Sequence, residues 1–387
     1  MAWRYTKVED QREYLVKSYI SKTATMSELC EECGISRKTG YRWVERYRDG
    51  GVEALRDQSR APASPYCKFS EERVTRALEL KRQYPSYGPK KIHAMLTRMH
   101  PREDWPSPSR LHQVFSEHHL VSSRKLRRRV ARTHPLGELN ASNDVWCADF
   151  KGWFLTGDKS KVEPLTITDG FSRFAIRCVH LERKTFEEVW KMYCGAFDEF
   201  GLPLRIRTDN GPPFATTGPG RLSRLAVNLI KAGIIPEWIN PGHPEENGRH
   251  ERFHRSLKEA TACPAALTFE EQVQRMATFV EEYNFDRPHE ALNMAVPGSV
   301  YAPSPRQWQG VLRSPEYDRA THEVRRVGTG GCFHWKGTEC YVGQLLAGEY
   351  IGLQRVDEKR LHAFYGPVFL GTAVEKEGFE RPLLPRR

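Results

Sequence analysis

The chain has 387 residues, of which 28% are charged, and a formal net charge of +11, enough length for more than one domain with a sizeable core. No apolar run approaches the roughly 18 residues of a membrane span, and the N-terminus lacks the apolar stretch of a secretory signal, so the expected setting is the cytoplasm, with no membrane partner. Nine cysteines are scattered without a disulfide framework, as a reducing compartment allows.

The positive charge is unevenly placed. Residues 1–135 carry 28 Lys/Arg against 16 Asp/Glu, and the remainder carries 32 against 33. A basic arm on a neutral body suits a polyanionic partner. Residues 1–57 read as a domain of short helices with helix-turn-helix punctuation. Ser27 can cap one helix whose Leu29, Cys30 and Cys33 face inward, Gly34 permits a left-handed turn, and Ser36 caps the next helix. That second helix displays Arg37, Lys38, Arg42 and Arg46, as a helix entering the major groove of DNA must. Cys30-x-x-Cys33 has no second ligand pair at zinc-site spacing and reads as core.

Residues 58–67 form a Pro/Ser/Ala-rich linker. A second helical domain spans 68–135, with Tyr87-Gly88-Pro89 opening one helix and Ser107-Pro108-Ser109 another. It ends in the basic run Arg124, Lys125, Arg127, Arg128 and Arg129, with Arg132 close by, placed to track a phosphate backbone.

From Asn143 the pattern becomes strand-like. Strands are expected over 146–154, 164–168 and 173–180, with Asp169-Gly170 as a turn. An amphipathic helix over 185–200 precedes a short buried strand, 204–208. Then come a helix over 222–232, an extended segment over 234–239, and helices over 247–260 and 269–284. This α/β body occupies 140–310. Residues 318–375 alternate again between Gly-rich turns, which suits a small β-barrel.

Three acidic residues stand in distinctive settings: Asp149 in Cys147-Ala148-Asp149-Phe150-Lys151-Gly152-Trp153-Phe154, Asp209 in Arg207-Thr208-Asp209-Asn210-Gly211-Pro212-Pro213-Phe214, and Glu251 in Asn247-Gly248-Arg249-His250-Glu251-Arg252-Phe253-His254. An isolated carboxylate among large apolar neighbours is costly to desolvate unless it is paired or holds a metal. Asp209 closes a strand at the edge where α/β folds gather ligands. In this order the three resemble the DDE triad of integrase-like insertion-sequence transposases of bacteria, and the resemblance covers nearly the whole chain.

That resemblance implies an α/β ribonuclease-H-like catalytic core, preceded by two all-α helix-turn-helix domains and followed by a small β-barrel. It implies a metal-dependent polynucleotidyl transferase that binds the terminal inverted repeats of its element, cleaves there and joins the ends to target DNA. Asp149, Asp209 and Glu251 are the implied catalytic and metal-binding residues, with two Mg²⁺ ions expected once DNA is bound and Mn²⁺ expected to substitute. Relatives often separate the second Asp from the Glu by about 35 residues, which here leads to Glu245, whereas Glu251 follows 41. Glu251 is chosen because it lies three residues after Gly248 within a helix; the loop 216–221 accommodates the surplus, and Glu245 and Glu246 become first-turn acids. Asn247, Glu251, Arg255 and Lys258 recur at helical spacing, so Asn247, Arg255 and Lys258 are further expected DNA contacts. A homo-oligomer on double-stranded DNA, associated with the nucleoid, is the expected state. The alternatives are an integrase-fold nuclease that does not join ends, and an inactive DNA-binding regulator.

Overall fold

The computed structural model describes residues 8–57, 69–121, 136, 139–240 and 242–381, apart from the side chains of Pro244 and Glu245. The chain divides into two compact units, residues 1–70 and 71–387, each taken here by itself.

The first unit contains α1 (Val8–Ile20), α2 (Met26–Glu32) and α3 (Arg37–Gly50). Thr25, not Ser27, caps α2: its hydroxyl accepts from the Glu28 amide while the Glu28 carboxylate accepts from the Thr25 amide. This reciprocal arrangement satisfies two otherwise orphaned donors, which a cap at Ser27 could not do because Cys30 stands three residues on. Ser36 caps α3 as expected, and Gly34 adopts φ +67° between the helices. Helices α2 and α3 touch at Gly40, where a Cβ would lie 2.5 Å from the Met26 sulfur and 2.7 Å from that of Cys30. Cys30 is thus core, together with Leu15, Leu29 and Val44.

The second unit begins with α4 (Glu71–Gln83), α5 (Pro89–Met99) and α6 (Pro108–Glu117). They pack around Ile92, Leu96, Trp105, Leu111 and Phe115. Gly88 and Ser107 stand at the N-caps of α5 and α6, each followed by proline at the first helical position, where its missing N–H costs nothing.

The central body is built on β1 (Val145–Phe150), β4 (Pro164–Asp169), β5 (Ala175–His180), β6 (Arg205–Thr208) and β7 (Ile235–Trp238). Their order is β5-β4-β1-β6-β7; β4 alone runs antiparallel to the rest, while β5, β1, β6 and β7 are mutually parallel. This is the mixed sheet of a ribonuclease-H-like fold. Strand β1 is shorter than the expected 146–154, because Gly152 at φ +81° takes the chain out of the sheet. A small hairpin follows, β2 (Phe154–Leu155) with β3 (Lys161–Val162).

One face of the sheet is covered by α7 (Phe186–Phe200) and α8 (Arg224–Lys231), whose Val189, Tyr193, Phe197, Leu225 and Leu229 pack on Trp146, Ala148, Ile167 and Ile206. The other carries α9 (Gly248–Thr261) and α10 (Phe269–Glu281), with Phe253, Leu257, Met276 and Phe279 against Ala175 and Cys178. The β4–β5 turn is held by Asp169, 1% exposed. One oxygen of its carboxylate accepts from the Asn143 amide, the other from the Ser172 amide and hydroxyl, at 2.6–2.8 Å.

The C-terminal part departs from expectation. Strands β8 (Glu323–Arg326), β11 (Tyr350–Arg355), β12 (Arg360–Tyr365), β13 (Val368–Val374) and β14 (Gly378–Glu380) form an open antiparallel sheet, order β14-β13-β12-β11-β8, beside a separate hairpin of β9 (Cys332–Trp335) and β10 (Thr338–Tyr341). Among the described residues the sheet does not close into a barrel. Its apolar face is covered by Phe333, Trp335 and Cys340 of that hairpin and by α8, whose Ala226, Val227 and Ile230 join Leu222, Ile351, Leu361, Tyr365 and Leu370 in one core. Closure by strand pairing is not required to bury that face.

The Asp169 network predicts that Asp169→Ala, by stranding three buried donors, lowers unfolding free energy by about 2–4 kcal/mol, measured by chemical denaturation and without dependence on added metal.

Candidate active site

Parallel pairing of β1 with β6 sets Cys147 opposite Arg207. Two residues further on, Asp149 lies near the end of β1 and Asp209 just past the end of β6, side by side at the carboxyl edge of the sheet. The Asp149 carboxyl is pushed up to about 7, first by burial and then by the neighbouring charge of Asp209, which outweigh the Phe150 amide, Lys184 and Lys151. Burial also raises Asp209, against the Gly211 amide that donates to it at 3.1 Å and against Lys184. Lys184 does not neutralise the pair: its ammonium contacts Glu163 at 2.5 Å and lies over the Phe150 ring.

Helix α9 meets this edge through two histidines that the sequence pattern had not singled out. His250 and His254 are 1% and 8% exposed, and both Nε2 atoms lie 2.7 Å from the Thr166 hydroxyl. That hydroxyl donates its single proton to the Asp149 carbonyl at 2.9 Å, so each imidazole N–H donates to it. Thr168 then donates to His250 Nδ1 at 2.8 Å. His254 Nδ1 is left unprotonated, 3.9 Å from Asp149 Oδ2. Burial keeps both rings neutral, pushing His254 down to about 3 and His250 well below its ordinary value.

Since the histidines face the sheet, Glu251 is exposed. Asp149 and Asp209 are brought together; among the described residues, no three His, Cys, Asp or Glu side chains gather closely enough to hold a metal. Arg255 and Lys258 are exposed on α9, but Asn247 is 5% exposed where the 3₁₀ turn Pro244–Asn247 joins α9, and its Oδ1 has no partner. Glu246 is not a first-turn acid of α9, for its carboxylate accepts from the Asn240 amide and side chain at 2.7 and 2.8 Å. The loop of Asp209 is pinned by the surplus segment, where Arg221 donates to Asn210 Oδ1 at 2.8 Å.

In the first unit Arg37, Lys38 and Arg42 are exposed along α3. Arg46 is partly withdrawn: it donates to the Arg56 carbonyl and lies 4.5 Å over Trp43, opposite Arg12 at 4.1 Å. Arg124, Lys125, Arg127, Arg128 and Arg129 lie outside the described residues.

Comparison with known proteins agrees with this layout. An integrase core domain matches residues 140–244 and a second integrase core domain matches 232–297, behind a helix-turn-helix domain at 11–63 and a homeodomain-like domain at 39–115. The body built on the mixed sheet is therefore an integrase core. Among similar proteins are the insertion element IS407 uncharacterized 31.7 kDa protein of Burkholderia multivorans and the insertion element IS476 uncharacterized 39.2 kDa protein of Xanthomonas euvesicatoria. The first is 25% identical over 236 residues, 60% of this chain and 82% of that protein. The second is 27% identical over 237 residues, 59% of this chain and 64% of that protein, so the chain spans less than two thirds of it. The chain thus carries an integrase core behind helix-turn-helix domains and is similar to insertion-element proteins of bacteria. Solved structures similar to it include the HTLV-2 integrase catalytic core domain in complex with magnesium (TM-score 0.34, 17% identity, 43% of this chain and 100% of that one). Another is a simian T-cell lymphotropic virus intasome with a PP2A regulatory subunit (TM-score 0.38, 15% identity, 80% of this chain and 100% of that one).

The raised carboxyl yields a pH-dependent outcome. The folded-state value near 7 lies above the ordinary 3.8. The stability this group contributes is therefore fully present below about pH 4 and is lost as pH rises towards 7, where the buried acid must ionise beside Asp209. In chelator, Asp149→Asn should be more stable than the wild type at about pH 8, by a few kcal/mol at most, with the difference closing by about pH 4. Added Mg²⁺ should raise the wild-type Tm and leave that of the variant unmoved.

Proposed function

We propose that this protein is a DNA transposase that binds the terminal repeats of its insertion sequence and catalyses metal-dependent phosphodiester cleavage and strand transfer. The observation that carries the reading is the pair Asp149 and Asp209. Two part-buried carboxylates, drawn together by parallel strands and, among the described residues, given no ion pair with lysine or arginine, are a poor structural choice and a good donor set for hard divalent cations. Asp149 and Asp209 would hold Mg²⁺ or Mn²⁺, and Glu251, exposed on the helix bordering them, would supply the third carboxylate. Bound there, two ions would activate an attacking oxygen and stabilise the leaving one.

The remaining steps belong to the chain. Neutral His254, fixed by Thr166, presents an unprotonated nitrogen towards Asp149 and leaves the carboxylate as the charged group at that edge. Arg255 and Lys258 hold DNA beside Glu251, and Arg37, Lys38 and Arg42 read the terminal repeat from the major groove. Water attacks first and frees a 3′-hydroxyl; that hydroxyl then attacks the target strand, with no covalent link to protein. Assembly as a homo-oligomer on the two element ends would bring both into one complex.

Asp149→Asn, Asp209→Asn and Glu251→Gln should each reduce Mg²⁺- or Mn²⁺-dependent strand transfer by at least about 100-fold, with binding to terminal DNA preserved. Glu245→Gln should remain active; the reverse result would move the third carboxylate to Glu245. In the same binding assay, Arg42→Ala should erode preference for the terminal repeat over random DNA. Arg127→Ala with Arg128→Ala should instead weaken both alike and flatten the salt dependence, whose slope is about −0.9 per phosphate contact.

A further inference from the structure

Between the second helical domain and the catalytic core lies an open cleft of about 1090 Å³, walled by the start of α5 on one side and by α9 and the 287–291 segment on the other. Seven cationic side chains line it against two carboxylates, those of Glu259 and Glu290. Lys90 from α5 and Arg252 and Arg255 from α9 are exposed, and among the described residues none of the three forms an ion pair. Like charges gathered in one cleft repel one another until a polyanion fills it.

The α5 wall is built against helix preference. The first turn of a helix favours Asp and Glu, yet that of α5 has no acid and reads Pro89-Lys90-Lys91, and Gly88 at its N-cap has no side chain to satisfy the free amides. The beginning of α6, with Pro108 and Ser109, opens on the same cleft and likewise lacks a first-turn acid. The walls are held in register by polar contacts. Arg98 donates to the Phe285 and Asp286 carbonyls at 3.2 and 3.1 Å, and the Arg287 guanidinium lies 5.0 Å over the Tyr87 ring.

We propose that this cleft seats the phosphodiester backbone of duplex DNA, gripped from both walls, and leads it within one subunit from the second helical domain to the edge of α9 that bears Glu251. The inference rests on the reading of the chain as a DNA-processing enzyme. DNA is favoured over an acidic protein because α9 carries Arg249, Arg252 and Arg255 around Glu251 itself, so a strand held here is delivered to the carboxylates. Lining arginines with fixed hydrogen bonds, such as Arg249 to the Gly170 carbonyl at 2.8 Å, keep that wall rigid.

The test uses the full chain without metal, so that it reads binding and not chemistry. Lys90→Glu with Lys91→Glu alters one wall, and Arg252→Glu the other. Each should weaken binding to a random-sequence duplex of about 30 base pairs by about tenfold and reduce the log–log salt slope by about 0.9 per lost contact. A photo-crosslinker on Lys90→Cys and one on Arg252→Cys should mark the same stretch of duplex. Melting temperatures report folding; if a charge reversal unfolds the chain, Lys90→Gln and Arg252→Gln should give the same direction at about threefold. Unchanged affinity and slope overturn the proposal, as does an effect from the α5 wall alone, which would make that domain an independent binder. Loss of poly-glutamate binding with duplex binding intact overturns it in favour of an acidic protein. Weakened binding in these variants with no cleavage by the wild type would count against the transposase reading and leave the cleft assigned.

Discussion

The Thr166 hydroxyl between two buried imidazoles fixes how α9 lies on the sheet, and much else follows from that placement. It donates to the backbone of β1 at Asp149 and accepts from His250 and His254 of α9, so strand, neighbouring strand and helix are joined by one oxygen. Thr168 completes the seam by donating to His250. Once these rings face inward, helical geometry sets Phe253 and Leu257 into the core and leaves Glu251, Arg255 and Lys258 outside. Burial disfavours a charged imidazole in either place, so both rings act as neutral hydrogen-bond partners.

The two ends of β1 carry acids of opposite kinds, Asp169 beside Trp146 at its start and Asp149 near its finish. Asp169 is buried more deeply than Asp149 but is supplied with three short hydrogen bonds from Asn143 and Ser172, so its charge is spent within the fold. Asp149 receives no comparable set and shares its surroundings with Asp209. Carboxylates with satisfied oxygens close turns; carboxylates left opposite one another bind cations or substrate. The core thus separates an acid that builds the site from acids available to act in it.

Much of this was legible before any coordinates. The helix starts at Ser36, Ser107 and Thr185 follow from capping chemistry, and the switch from helical to alternating pattern at Asn143 marks the beginning of the core. Asp149 and Asp209 stood out because strand-end carboxylates in apolar company are rare and costly. The cap at Thr25 could have been read from its own Glu28. The histidine seam was harder, since His250 and His254 flank a glutamate in a polar run and only the partner strand shows that their side is inward. The open C-terminal sheet was misjudged for a related reason: alternation reports that a face is buried, not whether another strand or a helix covers it. Here the cover is shared by the β9–β10 hairpin and by α8, which lies more than 100 residues before the buried strands. The α5–α9 cleft has no local sequence signal because its walls come from elements about 160 residues apart.

Helix α8 buries Leu225 and Leu229 in the catalytic core while Ala226, Val227 and Ile230 belong to the core of the C-terminal sheet. Its lysine, Lys231, reaches Glu349 at 2.7 Å, and the same carboxylate accepts from Tyr365. During synthesis the catalytic sheet is complete once β7 has emerged, yet one side of α8 stays wet until β12 and β13 arrive more than 100 residues later. The nascent chain therefore passes through an interval in which the nuclease-like half is formed but carries an uncovered apolar stripe. Consolidation of that half waits for strands made more than 100 residues after α8, and the C-terminal sheet is the wedge that closes over its exposed side.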